Sequence, residues 1–593
     1  MDDELNKNTQ VLNSIVGNFF FGEIEEDKVF PFPGFTTEQK ELAKEMINAV
    51  AKFCEDNIDS EKMDQNEEIP KEVIQGLAEL GLCGLGVPET YGGLELDYAL
   101  YSRVFSEICR FDGAVATTLG AHQSIGYRAL LNEGTEQQKE KYLARLASGE
   151  MIAAFCLTEP GSGSDAYSIK TKAVKKEDGN WAINGQKLWI TNAGMADFYT
   201  VFCKTEQKNA ADEVVEKISC FIIEKDTPGL SFGEREKKMG IKASETRALY
   251  FDNVIVPAEN LLGAEGKGFK IAMNVLNSGR LSLGSGCVGG MSHIIKLTTA
   301  QAKGRKQFGR TITEFGLVQE KLALMAAKCY ATECIVYMTT GNMVRGMKDY
   351  FMETAVCKIY GSESLWSCID MAMQVAAGNG YMKEYPYERI MRDSRINLIF
   401  EGTNEILRCF VALSGMRGPS EKLKELGKIT DVSKALSDPI KSLGVLTDFA
   451  KSRISKMIVS KTLSQCHPEL EDQAAHLSNL VSDFAIAVEN TLIKYGKKII
   501  DHELPQGRLA DMAVHLYVTL AVLSRTTAIL NDQKIPQDKK DYCLHLAKIS
   551  CRDAKKEIAK NMKAMKKNSD KSIAAVTESI CKYDGYGLDI VDY

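Results

Sequence analysis

The sequence predicts a multidomain α+β protein: helices first, a β domain in the middle, then helices to the end. Three observations carry that prediction. A chain of 593 residues exceeds what one hydrophobic core holds, since domains usually split beyond roughly 250–300 residues. The helical period of apolar residues gives way near Met151 to short β-rich runs punctuated by turn residues, and it returns near Phe269. Between 418 and 442 a charged, loosely periodic connector separates two helical units.

The first unit, residues 36–152, follows a lead segment (1–35) and starts at Thr36–Thr37 with Glu38, after which Leu42, Met46, Val50 and Phe53 recur at helical spacing. Gly81–Gly93 is dense in glycine and predicts a compact loop between helices. In the β domain, 153–266, Asp178-Gly179-Asn180 and Asn184-Gly185 each sit between β-forming runs, so two hairpin turns and an antiparallel sheet are expected. Residues 267–417 read as a helical bundle and 443–593 as an additional helical domain. Within the latter, Met512–Leu523 is the longest uncharged apolar run, and it predicts a buried helix because it is too short to span a bilayer.

Composition narrows the function. Apolar residues make up 44% and charged residues 26%, which excludes collagen-like and wholly disordered chains. Lysine plus arginine number 73 against 80 acidic residues, a net charge of −7, which predicts no nucleic-acid partner. The 16 cysteines form no C-x-x-C and the 7 histidines are dispersed, so no metal site is expected and the cysteines predict buried free thiols. The start MDDELNKNTQ shows neither a secretory apolar core nor an arginine-rich amphipathic pattern. A cytoplasmic location is expected on that ground.

Gly161-Ser162-Gly163-Ser164-Asp165-Ala166 matches G-x-G-x-x-A, but a dinucleotide fingerprint must open a helix, and the residues after it read as a hairpin. Gly266-Lys267-Gly268 fails as a P-loop, with Leu261 and Gly268 at the required Gly and Ser/Thr places. Trp189-Ile190-Thr191-Asn192 reads either as strand-end packing or as a flat ring and a hydroxyl beside a cofactor. Lys303, Arg305, Lys306 and Arg310 around Phe308-Gly309 suit either a solvated face or a pyrophosphate clamp. Glu401 follows Leu398, Ile399 and Phe400 and precedes Gly402-Thr403. Apolar neighbours desolvate a carboxylate and raise its pKa toward a general base's range. The alternative is a helix-start glutamate with Thr403 as the cap.

FCLTEPGSGSD (155–165), KLWITN (187–192), KKMGIKASET (237–246), RKQFG (305–309), QVAAGNG (374–380), YPYERIMRDSRI (385–396) and FEGTNEIL (400–407) resemble the acyl-CoA dehydrogenase family in order and spacing over nearly the whole chain. The helical region beyond about 440, together with GAHQSIG, LNSGR and FGLVQEKLALMA, resembles the very-long-chain branch. The resemblance implies an N-terminal helical domain, a middle β domain and a helical bundle with FAD between the last two, in a homodimer. It implies that Thr158 and Thr191 bond the flavin ring against Trp189, with Phe155, Gly163, Ser164 and Ile190 in the same cofactor-binding set. Arg305 and Gln307 of a neighbouring subunit would meet the pyrophosphate with Phe308 beside them, Gln374 through Gly378 would hold the adenine side, and Thr403 and Glu405 would close on the FAD.

The resemblance further implies that Glu401 is the base taking the α-proton while the β-hydride passes to flavin, with Ser164, Arg280, Phe400 and Gly402 as further substrate contacts. The substrate expected is a long- to very-long-chain acyl-CoA, and the electron acceptor is electron-transfer flavoprotein. An acyl-CoA oxidase and a respiratory-complex assembly factor retaining the fold are the alternative functions. The mitochondrial matrix, with inner-membrane association, is the alternative location. Residues 421–460 carry eight basic and five acidic residues, with Leu423, Leu426 and Ile429 at helical spacing. That pattern suits either weak peripheral membrane association or a flexible linker.

Overall fold

A computed structural model describes residues 14–209, 211–425 and 463–592. The first helical unit opens with Thr37–Asn57, started by a capping box in which Thr36 and Gln39 satisfy each other's backbone N–H groups. Its buried stripe is Ala43, Val50 and Cys54, whereas the expected Leu42 is 41% exposed. Gly81–Gly93 is a compact loop, tied by Leu94 and Leu96 N–H donating to Gly84 and Leu85 carbonyls at 3.0 and 2.8 Å.

The middle domain has strands β1 (Ala153–Cys156), β2 (Lys172–Lys175), β3 (Trp181–Thr191), β4 (Phe198–Lys208), β5 (Val214–Glu224), β6 (Leu230–Phe232), β7 (Thr246–Val256) and β8 (Leu261–Leu262). They form one sheet in the order β6-β7-β3-β2-β4-β5-β8, with β1 also on β4. Its pairings are antiparallel except that β1 and β2 run parallel to β4. Asp178-Gly179-Asn180 turns β2 into β3 as expected. Asn184-Gly185 does not turn: β3 runs through it, and the register against β7 slips between Ile183 and Gly185. Gly185 has φ 144°, and a Cβ there would lie 2.6 Å from the Thr171 hydroxyl, so this glycine serves a bulge and a close approach. Both faces of the sheet are covered, which is why Phe198 through Cys203 of β4 are all buried instead of alternating.

Helices Gly268–Gly304, Gly316–Val344, Phe351–Ala376 and Asn404–Glu425 build the bundle. Helices Glu471–Tyr495, Glu503–Asn531 and Gln537–Lys566 pack against it through one continuous apolar core. Tyr330 and Tyr517 hydroxyls meet Thr526 and Thr339 at 2.9 Å across that boundary, and Arg525 meets Glu333 at 2.5 Å. Met512–Leu523 lies buried inside Glu503–Asn531, the one helix among the described residues long and apolar enough to cross a membrane.

The lead segment joins this core. Ile15, Val16, Phe19, Phe20, Val29 and Phe30 are buried in it, and Gly415, Gly418 and Gly341 leave room for Phe20, Phe21 and Pro33. Asn404–Glu425 continues through the start of the expected connector and buries Leu423 in the same core. Leu426, Ile429 and the rest of the connector lie outside the described residues. All 16 cysteines are free thiols, most of them buried.

Candidate active site

Helix Tyr387–Ser394 and the turn Arg395–Leu398 end against the cavity between the bundle and the first helical unit. The chain then makes two left-handed residues, Glu401 at φ 61° and Gly402 at φ 94°, before helix Asn404–Glu425 begins. Glycine takes that conformation freely, but a glutamate does so at a cost of roughly 1–2 kcal/mol. Buried cations hold the strained turn. Arg280 Nε donates to the Glu401 carbonyl at 3.3 Å. Lys358, fully buried, donates from Nζ to the Gly402 carbonyl at 2.8 Å and to Asn404 Oδ1 at 2.6 Å. Thr403 caps the following helix by accepting the Ile406 N–H at 3.3 Å. The cap and the desolvated carboxylate coexist here, because the cap sits two residues past Glu401.

The Glu401 side chain lines the cavity, and its Oε2 is buried with no hydrogen-bond partner among the described residues. A Cβ on Gly279 would clash with that oxygen, so the facing helix is glycine where the carboxylate sits. Burial raises the Glu401 pKa to about 7, against the lowering pull of Arg280 and then Lys358. Burial also brings Arg280 down to about 10 and Lys358 to about 8. Among the described residues the Glu401 N–H has no backbone acceptor, so the same strained turn offers a free donor. A partly protonatable base beside a free N–H can remove a proton next to a carbonyl and stabilise the resulting oxyanion.

From Glu401 the cavity follows one face of helix Gly268–Gly304, past Gly279, Ser282, Gly286 and Gly290 to His293. Residues 113–125 wall the opposite side in the reverse direction, since Ile125 meets Gly279 and Gly113 meets Asp393. Thr191 and Phe400 also line it. Two residues before Thr191, Trp189 stands at a register slip of β3 with φ 56° and is 63% exposed. Thr158 sits against it, accepting the Leu188 N–H at 3.0 Å. An unclaimed indole two residues from a hydroxyl of the cavity wall, with Thr158 paired to the residue before it, fits a flat, hydrogen-bonding cofactor.

Other expected contacts fall elsewhere. Ile190 is buried in the sheet core, because alternation along β3 sends it to the face opposite Thr191. Phe155 packs on Phe202, with ring centroids 5.0 Å apart. Arg280 and Gly402 do not line the cavity: the guanidinium turns to Asn277 Oδ1 at 3.0 Å and to the Glu401 carbonyl. Gly163 and Ser164 lie on an exposed loop, which leads into the single 3-10 turn Ala166–Ser168 and opens no α-helix. Glu405 is exposed at the start of its helix.

Arg305, Gln307 and Phe308 form an exposed hairpin beyond the end of helix Gly268–Gly304, with Phe308 at 92% exposure. About 26 residues at roughly 1.5 Å each put Arg305 some 39 Å from Gly279 along that helix. Gln374 and Gly378 are exposed at the same end, where Val375 packs with Ala302 and Ile312. Sequence reasoning misses Gly279 and Lys358. A lysine inside the apolar run Ala355–Ile359 is the available signal for the latter.

Family models match this architecture domain by domain: acyl-CoA dehydrogenase N-terminal domain at 36–150, middle domain at 154–254, C-terminal domain at 266–415, and ACAD9/ACADV C-terminal domain at 468–586. The chain is 43% identical over 563 residues to the mitochondrial very long-chain specific acyl-CoA dehydrogenase of Rattus norvegicus, covering 94% of this chain and 84% of that protein. The Homo sapiens counterpart is 43% identical over 526 residues, 88% and 79% of the two chains. A crystal structure of an acyl-CoA dehydrogenase complexed with FAD from Bacillus anthracis superposes with a TM-score of 0.77 at 34% identity, over 93% of this chain and 91% of that one.

Proposed function

The chain belongs to the acyl-CoA dehydrogenase family, and on that premise we propose that Glu401 takes the α-proton of a long-chain acyl-CoA lying in the cavity. The reaction is FAD-dependent α,β-dehydrogenation of acyl-CoA in fatty-acid β-oxidation, and the protein is an oxidoreductase. The observation that carries the base assignment is the buried, unpartnered Oε2 at one end of an apolar tunnel. An α-proton beside a thioester is only weakly acidic, so the acceptor must be desolvated and the carbonyl polarised. Burial of Glu401 supplies the first, and the free Glu401 N–H supports the second. The chemistry that bound FAD supplies is a two-electron acceptor for the β-hydride, which makes the product a trans-2-enoyl-CoA. Thr158, Trp189 and Thr191 are the residues we assign to hold its ring, with Thr403 behind them.

The tunnel's length supports the long-chain preference. Fourteen residues from Gly279 to His293 span roughly 21 Å. A zigzag of C–C bonds near 1.5 Å advances roughly 1.3 Å per methylene, so the tunnel takes about sixteen carbons. The hairpin of Arg305, Gln307 and Phe308, with Gln374 and Gly378 at the same remote end, supports a homodimer in which these groups serve the partner's cofactor. Electron-transfer flavoprotein is the proposed electron acceptor; one solved neighbour, 36% identical with a TM-score of 0.60, is described as an electron transferring flavoprotein of Acidaminococcus fermentans. The curated relatives are named mitochondrial, which supports the mitochondrial location over the cytoplasmic one. Peripheral membrane association stays a separate proposal, to be read from co-sedimentation with anionic vesicles.

Anaerobic titration of the flavin-loaded protein with acyl-CoAs of graded length tests the whole reading. Flavin absorbance should bleach, most completely near sixteen carbons. A colourless protein that takes up no added FAD, or no bleaching at any length, overturns it.

A further inference from the structure

The tunnel changes character at its far end, where His293, Arg110, Asp112, Arg389 and Asp393 replace the glycines and apolar side chains of the wall. Resting on the acyl-tunnel reading above, we propose that this end is a binding site for a hydroxyl at the ω end of the acyl chain, so that ω-hydroxylated long-chain acyl-CoAs are a substrate class of this enzyme. What the polar groups already hold leaves room for such a ligand.

Asp112 Oδ1 accepts the Ala114 and Val115 N–H groups at 2.8 and 2.9 Å, and Asp393 Oδ1 accepts the Ile241 N–H at 2.5 Å. Their second oxygens meet Arg389 Nη1 only at 3.5 and 3.4 Å. A guanidinium carries five N–H donors. Arg389 therefore has donors beyond these two long contacts, and Arg110 has donors beyond its 2.6 Å bond to Glu107. His293 has no hydrogen-bond partner among the described residues. Burial, with Arg110, Arg389 and Lys296 nearby, brings its pKa down to about 4. At neutral pH it is thus an uncharged ring with one donor and one acceptor, both open.

A chain of about sixteen carbons carries its ω end to this cluster. A terminal methyl there displaces water from the imidazole and the guanidinium and returns nothing. A hydroxyl donates to His293 and accepts from arginine at once. A carboxylate would find the same donors but would face Asp112 and Asp393, so the mixed signs of the cluster favour the neutral group. In an apolar tunnel end, burying an unpartnered hydroxyl costs roughly tenfold to hundredfold in affinity. Here that penalty should be absent.

The test compares kcat/KM of the flavin-loaded enzyme for 16-hydroxyhexadecanoyl-CoA, hexadecanoyl-CoA and the CoA monothioester of hexadecanedioic acid. The hydroxylated chain should match or exceed the plain one and exceed the carboxylated one. In His293→Leu the ratio of hydroxylated to plain should fall roughly tenfold, and His293→Asn, which keeps a donor and an acceptor, should restore most of it. A tenfold penalty for the hydroxyl in the wild type overturns the proposal, as does a ratio unmoved by His293→Leu. Preference for the carboxylate overturns it in favour of an anion site. Failure of hexadecanoyl-CoA itself removes the underlying acyl-tunnel reading, whereas failure confined to the hydroxylated chain removes this inference alone.

Discussion

Glu401 and Glu353 are two buried carboxyls in one bundle, both lifted by burial to about 7, and each has an Oε2 with no partner among the described residues. Glu353 stands on helix Phe351–Ala376, where its other oxygen accepts the Ser14 hydroxyl at 2.7 Å and the Val16 N–H at 3.0 Å. It fastens the lead segment and does not line the tunnel. Among the described residues no group donates to either Glu401 side-chain oxygen, and the carboxylate opens on the tunnel. A raised pKa and an unpartnered Oε2 are therefore common to a fastener and the proposed base. Access from the tunnel, which Glu401 lines and Glu353 does not, separates them.

The largest effect that would sharpen this contrast is on turnover. Glu401→Gln should retain the yellow flavin yet lose at least about 10³-fold in the rate of acyl-CoA-driven bleaching, as removal of a proton acceptor requires. Glu353→Gln should stay within about threefold of wild type. Equal losses in the two variants, read by stopped-flow absorbance, would break the distinction.

Lys358 comes next. Replacing it with methionine leaves the Gly402 carbonyl and Asn404 without their donor and loosens the strained turn under Glu401. A loss of about 10- to 100-fold in kcat/KM is expected, the range of a buried charged donor removed from its partners. Lys358 also lowers the Glu401 pKa through space. The variant's alkaline-rising pH profile should therefore shift upward, a change that simple loosening would not produce.

The third contrast is the pH profile itself. The base must be ionised, so wild-type kcat/KM should climb as pH rises through about 7 and then level off. Glu353 titrates in the same window without touching substrate, so Glu353→Gln should leave the profile in place. A midpoint near the ordinary 4.5 in the wild type would mean that the carboxylate is solvated during turnover.

Much of this contrast is legible in the sequence, and the remainder is hidden for definable reasons. Glu401 announces itself because three apolar residues precede it and a glycine follows, features written within five positions. The β domain is legible from local runs and turn pairs, yet Asn184-Gly185 has the composition of a turn and is not one. The close approach of Thr171, an earlier part of the chain, makes it a bulge. Glu353, Lys358 and the lead segment cannot be placed from sequence, since their partners lie 339, 46 and more than 300 residues away. Ile190 shares a motif with Trp189 and Thr191, and only the phase of β3 against the sheet core decides which of them faces out.

The smallest effect concerns stability. Glu353 is raised in the fold from 4.5 to about 7. Below about pH 4.5 it is protonated in both folded and unfolded chains, and burial as the neutral acid costs nothing extra. As pH rises toward 7 the unfolded chain releases the proton while the folded one retains it, so folding loses stability, by about 3 kcal/mol in all once pH exceeds 7. Glu353→Gln stays neutral throughout and still accepts Ser14 and Val16 at its carbonyl oxygen. The variant's Tm relative to wild type should therefore increase between about pH 5 and pH 8, by about 3 °C. Because the carboxyl anchors the lead segment, the same rise should bring faster proteolysis within residues 14–30 in the wild type than in the variant. Parallel Tm curves for the two proteins would mean that the folded carboxyl ionises near its ordinary range, and the equivalence with Glu401 from which the comparison starts would be lost.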